Sequence, residues 1–153
     1  MSIIIREANL KDVEAIRRMH AASWLDAYPN DEHGVSYEWV REVTYGWLTP
    51  EKLAYSHEHF GNVFTNDDHF YRVAVDGKKI VGFIHALKED GITKLGGLYI
   101  AKEHYSTGLA QQLAALTHEW CGNDIVELEV VAYNKRAIRC YEKCGFKKVE
   151  GSE

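Results

Sequence analysis

Two Asp-Gly dipeptides, Asp76-Gly77 and Asp90-Gly91, stand between strand-like runs and leave few arrangements open to the middle of this chain. Asp-Gly between β-branched and aromatic segments is a strong signal for a tight hairpin, because both residues tolerate the backbone conformation of such turns. The runs on either side are Phe70–Val75, Lys79–Leu87 and Thr93–Ile100. We therefore predict a three-strand antiparallel meander.

Helical patterns come before this meander. A short β-branched strand at Ile3–Arg6 is followed by Asn9 and Asp12, which have the spacing of a capping box. Two more helix starts follow, one near Ser36 and one at Thr49-Pro50-Glu51, where a capping hydroxyl precedes a proline and an acid. We predict three helices in this part of the chain.

After the meander, helical and strand-like patterns alternate. They are the helix Gly108–Trp120, the strand Ile125–Ala132, the helix Lys135–Cys144 and the strand Phe146–Val149. A strand, a helix and another strand imply a parallel or mixed connection. We predict the α/β class, an α+β mixed sheet flanked by helices, and the length of 153 residues indicates a single domain over 1–153.

Composition excludes several classes of protein. The net charge of −5 argues against broad nucleic-acid binding, which depends on basic surfaces. No apolar run approaches the roughly 18 residues of a membrane span, so we expect neither a membrane protein nor a secreted precursor. The three cysteines, Cys121, Cys140 and Cys144, have no paired spacing, which favours a reducing cytoplasm.

The loop before the fourth helix has the first chemically informative pattern. Tyr105–Ala110, with the sequence Tyr-Ser-Thr-Gly-Leu-Ala, leads from a strand into a helix. Free backbone N–H groups and the positive end of a helix dipole meet at such a point, which makes it a pyrophosphate cradle in physical terms. An ordinary helix N-cap explains the same residues.

A second segment reads Asn134-Lys-Arg-Ala137-Ile-Arg-Cys-Tyr141-Glu-Lys143-Cys-Gly145-Phe146. Together the two segments resemble the GNAT acetyltransferase superfamily, whose members commonly pair a strand–(Q/R)-G-x-G-x-(G/A)–helix segment with a strand–N-x-x-A-x-x-x-Y-x-K-x-G-F segment. The order of elements supports the resemblance over roughly residues 3–150. The second pattern is matched at Asn134, Ala137, Tyr141, Lys143, Gly145 and Phe146.

The resemblance implies an N-acetyltransferase that moves acetyl from acetyl-CoA to a primary amine by direct attack in a ternary complex. The backbone of Leu98, Tyr99 and Ile100 would hold the pantetheine arm and thioester, and Asn134 would contact the same arm. Tyr141 would be the general acid for the departing sulfur. The other implied cofactor residues are Lys143 and, through pyrophosphate-binding N–H groups, Tyr105, Ser106, Thr107, Gly108, Leu109 and Ala110.

The chain departs from the family pattern in two places. Tyr105 replaces a Gln or Arg, and Ser106 replaces the first glycine, which lets the backbone approach a phosphate closely. The chain also stops at Glu153, before the further strand that family members insert beside Ile125–Ala132. We expect that final strand to be missing and a homodimer to cover the exposed edge.

Two other functions stay open, and the departures favour the first of them. One is a catalytically degenerate acyl-CoA-binding sensor or interaction module. The other is a nucleotide-binding protein of a different fold, which would prefer ATP or NAD to CoA.

The sequence says less about the acceptor amine, and about the base that deprotonates it, than about the donor. An amine with a pKa of about 10.4 is neutral in about one molecule in 2,500 at pH 7, so a proton must be removed. The strand segment Lys94-Leu95-Gly96-Gly97 carries no base, which leaves His85, Glu129, Glu7 or a water relay as candidates.

Charge and aromatic residues bear on the acceptor. Residues 26–68 carry nine acidic and two basic residues, and this net charge of −7 favours a cationic amine such as a polyamine, an amino sugar or a protein amine. Residues 135–148 have a net charge of +5, which suits nucleotide phosphates, although two solvated surfaces explain both charges equally. Trp24 and Tyr28, one helical turn apart, form either a substrate wall or part of the core.

The eight histidines do not form a metal-binding pattern. Their close groupings, His57-Glu58-His59 and His118-x-x-Cys121, complete neither a four-ligand set nor the two-histidine helix of zinc hydrolases. We therefore expect no metal.

Overall fold

The computed structural model describes residues 3–122, 125–130 and 133–147. The strands are Ile3–Glu7 (β1), His69–Asp76 (β2), Lys79–Glu89 (β3), Ile92–Ile100 (β4) and Ile125–Glu127 (β5). The α-helices are Val13–Ala27 (α1), Tyr37–Gly46 (α2), Pro50–Phe64 (α3), Leu109–Cys121 (α4) and Lys135–Lys143 (α5). In this part of the chain, no helix combines the length and the apolar character needed to cross a membrane.

The strands form one five-stranded sheet in sequence order. β1 to β4 are antiparallel neighbours, and β5 lies parallel to β4 at the edge of the described sheet. The turns after β2 and β3 contain Gly77 and Gly91 at φ of 63° and 78°, which glycine adopts without a steric penalty. The predicted meander and the predicted mixed α/β class are both confirmed.

Helices cover both faces of the sheet. On one face, Leu113 of α4 packs in a buried cluster with Ile84 of β3. On the other face, Ile16 of α1 and Val63 of α3 pack in a second cluster with Phe83, the neighbour of Ile84 on β3. The central strands are therefore fixed from both sides, which gives the site a rigid floor.

β4 and β5 run together over a short distance. Ile92–Lys94 pairs with Ile125–Glu127, and no further pairing of these strands occurs in the described residues. Just beyond this point the register of β3 against β4 shifts, because β4 carries Gly96 as an extra residue opposite His85 and Ala86. A bulge of this kind bends a strand and increases its twist. We attribute the separation of β4 from β5 to this bend.

Two predicted strands differ from the structure. The strand predicted at Ile125–Ala132 ends at Glu127, because its pairing with β4 stops there; residues 131–132 lie outside the described residues. Of the strand predicted at Phe146–Val149, Phe146 and Lys147 are not in a strand. Residues 148–153, where the final strand was expected to be missing, lie outside the described residues.

The capping box predicted at Asn9 also joins β1 to α1. Asp12 accepts a hydrogen bond from the Asn9 backbone N–H at 2.9 Å, and the Arg6 guanidinium donates to both Asp12 oxygens at 2.7 and 2.9 Å. Burial raises the pKa of Asp12, but the hydrogen bonds from Arg6 and Asn9 outweigh it, so this pKa lies below its usual value.

We predict that Asp12→Asn lowers the free energy of unfolding by about 2 kcal/mol at pH 7, because it removes charge-assisted hydrogen bonds. A depressed pKa contributes stability above the unfolded pKa, so the difference from the wild type should shrink as the pH falls below about 4. Urea unfolding across pH measures this. Glu14→Gln, which removes the exposed pair with Arg18, is the matched control and should cost less than about 0.5 kcal/mol.

Candidate active site

A cavity of about 680 Å³ lies where β4 and β5 separate. Residues 95–100 of β4 form its floor, and residues 104–111 lead over it into α4. α5 forms the opposite wall, and Tyr28 at the end of α1 closes one side. The bend in β4 therefore creates the space that the two sequence motifs line.

The loop before α4 contains two residues in the left-handed region of backbone space. Gly108 caps α4 at φ 85° without a side-chain hydrogen bond, and Ser106 has φ 64°. A serine in the left-handed region is uncommon, so Ser106 occupies a backbone state that the glycine of the family pattern adopts freely. The first N–H groups of α4 have no acceptor within the helix and remain available to an anion.

The residues of the second motif position Tyr141 in the cavity wall. Asn134 begins α5 by accepting a hydrogen bond from the Ala137 backbone N–H at 3.2 Å. Gly145, at φ 98°, ends the helix, and the Phe146 N–H returns to the Tyr141 carbonyl at 3.0 Å. The Phe146 ring then lies edge-on to the Tyr141 ring, with 6.0 Å between centroids.

Tyr28, Tyr99 and Tyr141 line the same cavity, as does Tyr105 from the loop before α4. Burial, and then the neighbouring Tyr99, raises the pKa of both Tyr141 and Tyr28 above the ordinary value of a phenol. These two phenols therefore stay protonated at neutral pH. A protonated phenol in the wall of a cavity can donate its proton to an anion that forms beside it.

The two residues of the predicted substrate wall, Trp24 and Tyr28, have different positions relative to the cavity. Tyr28 lines the cavity, whereas Trp24 is not among the lining residues and packs behind it, with 4.9 Å between ring centroids. Trp24 also packs edge-on against Trp47 at 4.8 Å. The Tyr133 hydroxyl donates to the Tyr28 carbonyl at 2.8 Å, which ties the end of α1 to the segment before α5.

The three candidate bases lie in different places. Glu129 is exposed and lines the cavity. His85 is not among the lining residues; its Nε2 lies 2.8 Å from Nδ1 of His69, and burial, followed by the nearby histidines, lowers its pKa to about 4. Glu7 lines a separate cavity of about 320 Å³ and pairs with Arg72 at 3.6 Å. Of the three candidates, Glu129 shares the cavity with Tyr141.

Two arginines of the basic segment 135–148, which were not among the predicted site residues, lie in the cavity wall. Arg136 and Arg139 line it together with Lys143, at the i, i+3 and i+7 spacing of one helix face. The Arg136 guanidinium carbon lies 3.8 Å from the centroid of the Tyr105 ring. The spacing within the basic segment was a usable signal for this face, but the contact with Tyr105 depends on how α5 docks.

Within residues 3–122, 125–130 and 133–147, no group of three or more His, Cys, Asp or Glu side chains is placed to hold a metal ion.

The chain is similar to a known protein family and to several solved structures. A model of the acetyltransferase (GNAT) family matches residues 14–146, from the first turn of α1 to the phenylalanine that packs on Tyr141. The chain belongs to the GNAT acetyltransferase family. The resemblance inferred from the two motifs is confirmed, and membership supports acetyl-CoA-dependent acetyl transfer in general.

Solved structures confirm the GNAT fold. PaiA N-acetyltransferase from Thermoplasma acidophilum, in complex with coenzyme A, is 24% identical with a TM-score of 0.78 over 100% of this chain and 94% of that one. AAC(6')-Iy with the bisubstrate analogue CoA-S-monomethyl-acetylneamine is 19% identical, with a TM-score of 0.67 over 100% and 96% of the two chains. Glucosamine-6-phosphate N-acetyltransferase from Arabidopsis thaliana is 18% identical, with a TM-score of 0.64 over 100% and 98%. Among curated protein sequences, no match was found.

We predict that Gly108→Ala destabilises this GNAT protein by about 1–2 kcal/mol, because an L-residue at φ 85° is strained. Gly61→Ala is the matched control, since Gly61 lies inside α3 and an added Cβ there meets Leu10 at an ordinary 3.6 Å. That change should stabilise the protein by about 0.5–1 kcal/mol. Urea unfolding of both variants measures the difference, and an equal sign for the two changes would contradict the strained geometry of the loop.

Proposed function

We propose that this protein is an N-acetyltransferase that moves an acetyl group from acetyl-CoA to the primary amine of a small cationic acceptor or of a protein. Transfer occurs by direct attack in a ternary complex. The observation that carries the proposal is one cavity that brings together the loop before α4, the edge of β4 that β5 leaves unpaired and the partly buried phenol of Tyr141. Family membership and the coenzyme A in related structures support the donor.

Each part of the donor, acetyl-CoA, can be assigned to a different part of the cavity. The edge of β4 that β5 leaves uncovered offers the backbone groups of Leu98, Tyr99 and Ile100 to the pantetheine arm, as one more strand would pair with them. The N–H groups from Tyr105 to Ala110 hold the pyrophosphate. Asn134 and Lys143, both in the cavity wall, contact the arm and the nucleotide part.

Tyr141 supplies the proton that the reaction needs. The amine nitrogen attacks the thioester carbonyl carbon, and the carbon–sulfur bond breaks as the amide forms. The departing thiolate takes the phenolic proton of Tyr141, and the proton lost by the amine returns to the phenolate through water. The products are the N-acetylated amine and coenzyme A with a free thiol, so atoms and charge balance.

A thiolate that forms in a desolvated part of the cavity wall is a stronger base than one in water, since burial disfavours its charged form. Burial also raises the pKa of Tyr141 above the ordinary value of a phenol. The two pKa values shift in the same direction, so the phenol remains a suitable acid for the thiolate.

The acceptor approaches from the side of Tyr28. The net charge of −7 over residues 26–68 attracts a cation to this side, and the Tyr28 and Tyr99 rings give its apolar part a surface. Trp24 fixes the Tyr28 ring from behind. Glu129, or water in contact with it, first takes one proton from the ammonium group, which gives the neutral amine that attacks the thioester.

Tyr141→Phe tests the proposal directly. We expect kcat to fall by about 10²–10⁴, because general acid catalysis is lost, while the Kd of coenzyme A changes less than about twofold. An acetyl-CoA consumption assay over polyamines, amino acids, aminoglycosides and peptides identifies the acceptor and then measures the variant. Tyr55→Phe, at an exposed tyrosine on α3, is the control and should leave kcat unchanged.

The same experiment separates the enzyme from a non-catalytic acyl-CoA sensor. A wild-type protein that binds coenzyme A and acetylates no amine in the screen would favour the sensor. Affinity for ATP or NAD above that for coenzyme A would contradict both.

The pH profile gives a second test. We predict that kcat/KM rises with pH from about 6 to 9, because the neutral amine becomes more abundant as its pKa of about 10.4 is approached. The pKa of Tyr141 lies above its ordinary value, so loss of the acid should produce no descending limb below about pH 10. Stopped assays in overlapping buffers measure this, and a descending limb near pH 8 would count against Tyr141 as the acid.

Two further features belong to the proposal. A homodimer shields β5, whose Ile125 is 67% exposed at the edge of the described sheet. Light scattering at micromolar concentration tests the dimer, and a monomer would refute it.

A cytoplasmic location agrees with the three free cysteines.

A further inference from the structure

We infer that Arg136 binds the pyrophosphate of coenzyme A, and that Tyr105 holds it there in place of the Gln or Arg of the family pattern. The inference rests on the proposed function, since it needs coenzyme A as the ligand. It assigns a ligand-binding role to an α5 side chain and a positioning role to the residue that makes the loop atypical.

The geometry of the pair supports this assignment. The Arg136 guanidinium carbon lies 3.8 Å from the centroid of the Tyr105 ring, and both residues line the cavity. The Tyr105 backbone is itself fixed, because its N–H donates to the Lys102 carbonyl at 3.2 Å. A guanidinium stacked on a ring keeps its N–H donors in the plane of the group, where they can bind two phosphate oxygens together.

The donors of Arg136 are not used by a carboxylate. Arg6, Arg18 and Arg72 each pair with an acidic side chain within 4.0 Å. Arg136 has no such pair among the described residues. The Arg136 guanidinium, which has no carboxylate partner among the described residues, can therefore bind an anion in the cavity.

Coenzyme A carries a pyrophosphate and a 3′-phosphate, and the position of Arg136 favours contact with the pyrophosphate. Arg136 lies in the first turn of α5, against the residue that directly precedes Ser106 and the anion-binding N–H groups. Arg139 and Lys143 follow one and two turns further along the helix. The two later cations are therefore better placed for the 3′-phosphate.

Calorimetric titration of the full chain with coenzyme A and with dephospho-coenzyme A tests the assignment. We expect Arg136→Gln to weaken both ligands about tenfold, as for a lost hydrogen bond to a charged group. The salt dependence of its Kd should also be shallower, because one phosphate contact is gone. Arg41→Gln is the matched control, since the Arg41 guanidinium carbon lies 5.1 Å from the centroid of the Tyr45 ring on α2, and neither residue lines the cavity. This control should bind both ligands as the wild type does.

Substitutions at Tyr105 test the positioning role. Tyr105→Leu removes the ring and should weaken coenzyme A about two- to fivefold, whereas Tyr105→Phe keeps the ring and should retain wild-type affinity. In the background of Arg136→Gln, Tyr105→Leu should have no further effect, because the residues act as a unit.

The outcomes are distinct. A wild-type chain that does not bind coenzyme A refutes the proposed function. A wild-type chain that binds it, with Arg136→Gln binding equally well, overturns this inference alone. A loss for Arg136→Gln that disappears with dephospho-coenzyme A overturns the pyrophosphate assignment, since the contact would then be to the 3′-phosphate.

Discussion

β4 and β5 separate after three paired residues each, and the rest of the site depends on that separation. Parallel strands that stayed paired would bury the backbone groups of β4 in a ladder and leave no cavity. The bulge at Gly96 prevents this by bending β4. A side chain at Gly96 would meet Nδ1 of His85 at 3.2 Å, so the bend and the absence of a side chain are coupled.

The residues of the second motif, from Asn134 to Phe146, determine the structure of α5. Asn134 and Gly145 set the two ends of α5, and Phe146 folds back onto Tyr141. These contacts fix both the start of the helix and the direction of its one phenol in the cavity. A motif that specifies a helix with two defined ends therefore also specifies where the Tyr141 phenol lies relative to β4.

The elements that the sequence predicted well are those that local chemistry determines. The Asp-Gly turns, the Thr49 cap with Pro50 and the spacing from Asn134 to Phe146 all act within a few residues, so their outcomes could be read before the fold was known. The family pattern then placed Tyr141 and the loop before α4 in one site.

The features that sequence reasoning missed depend on tertiary packing. Arg136 and Tyr105 are far apart in the chain and meet because α5 docks against the loop before α4. Trp24 and Tyr28 have equivalent spacing, yet the first supports the wall and the second lines it. The early end of the strand after Ile125 follows from the bend of its neighbour. Helical or strand periodicity carries no information about any of these three.

The hydrogen bond from Tyr133 to the Tyr28 carbonyl spans 105 positions of sequence and fastens the two sides of the cleft to each other. Tyr133 directly precedes the cap of α5, and Tyr28 lines the side of the cavity at which we propose that the amine enters. Under that proposal, coenzyme A bound against α5 would be connected to the acceptor side of the cavity through this hydrogen bond. We therefore expect an ordered addition, with the thioester first and its acceptor second.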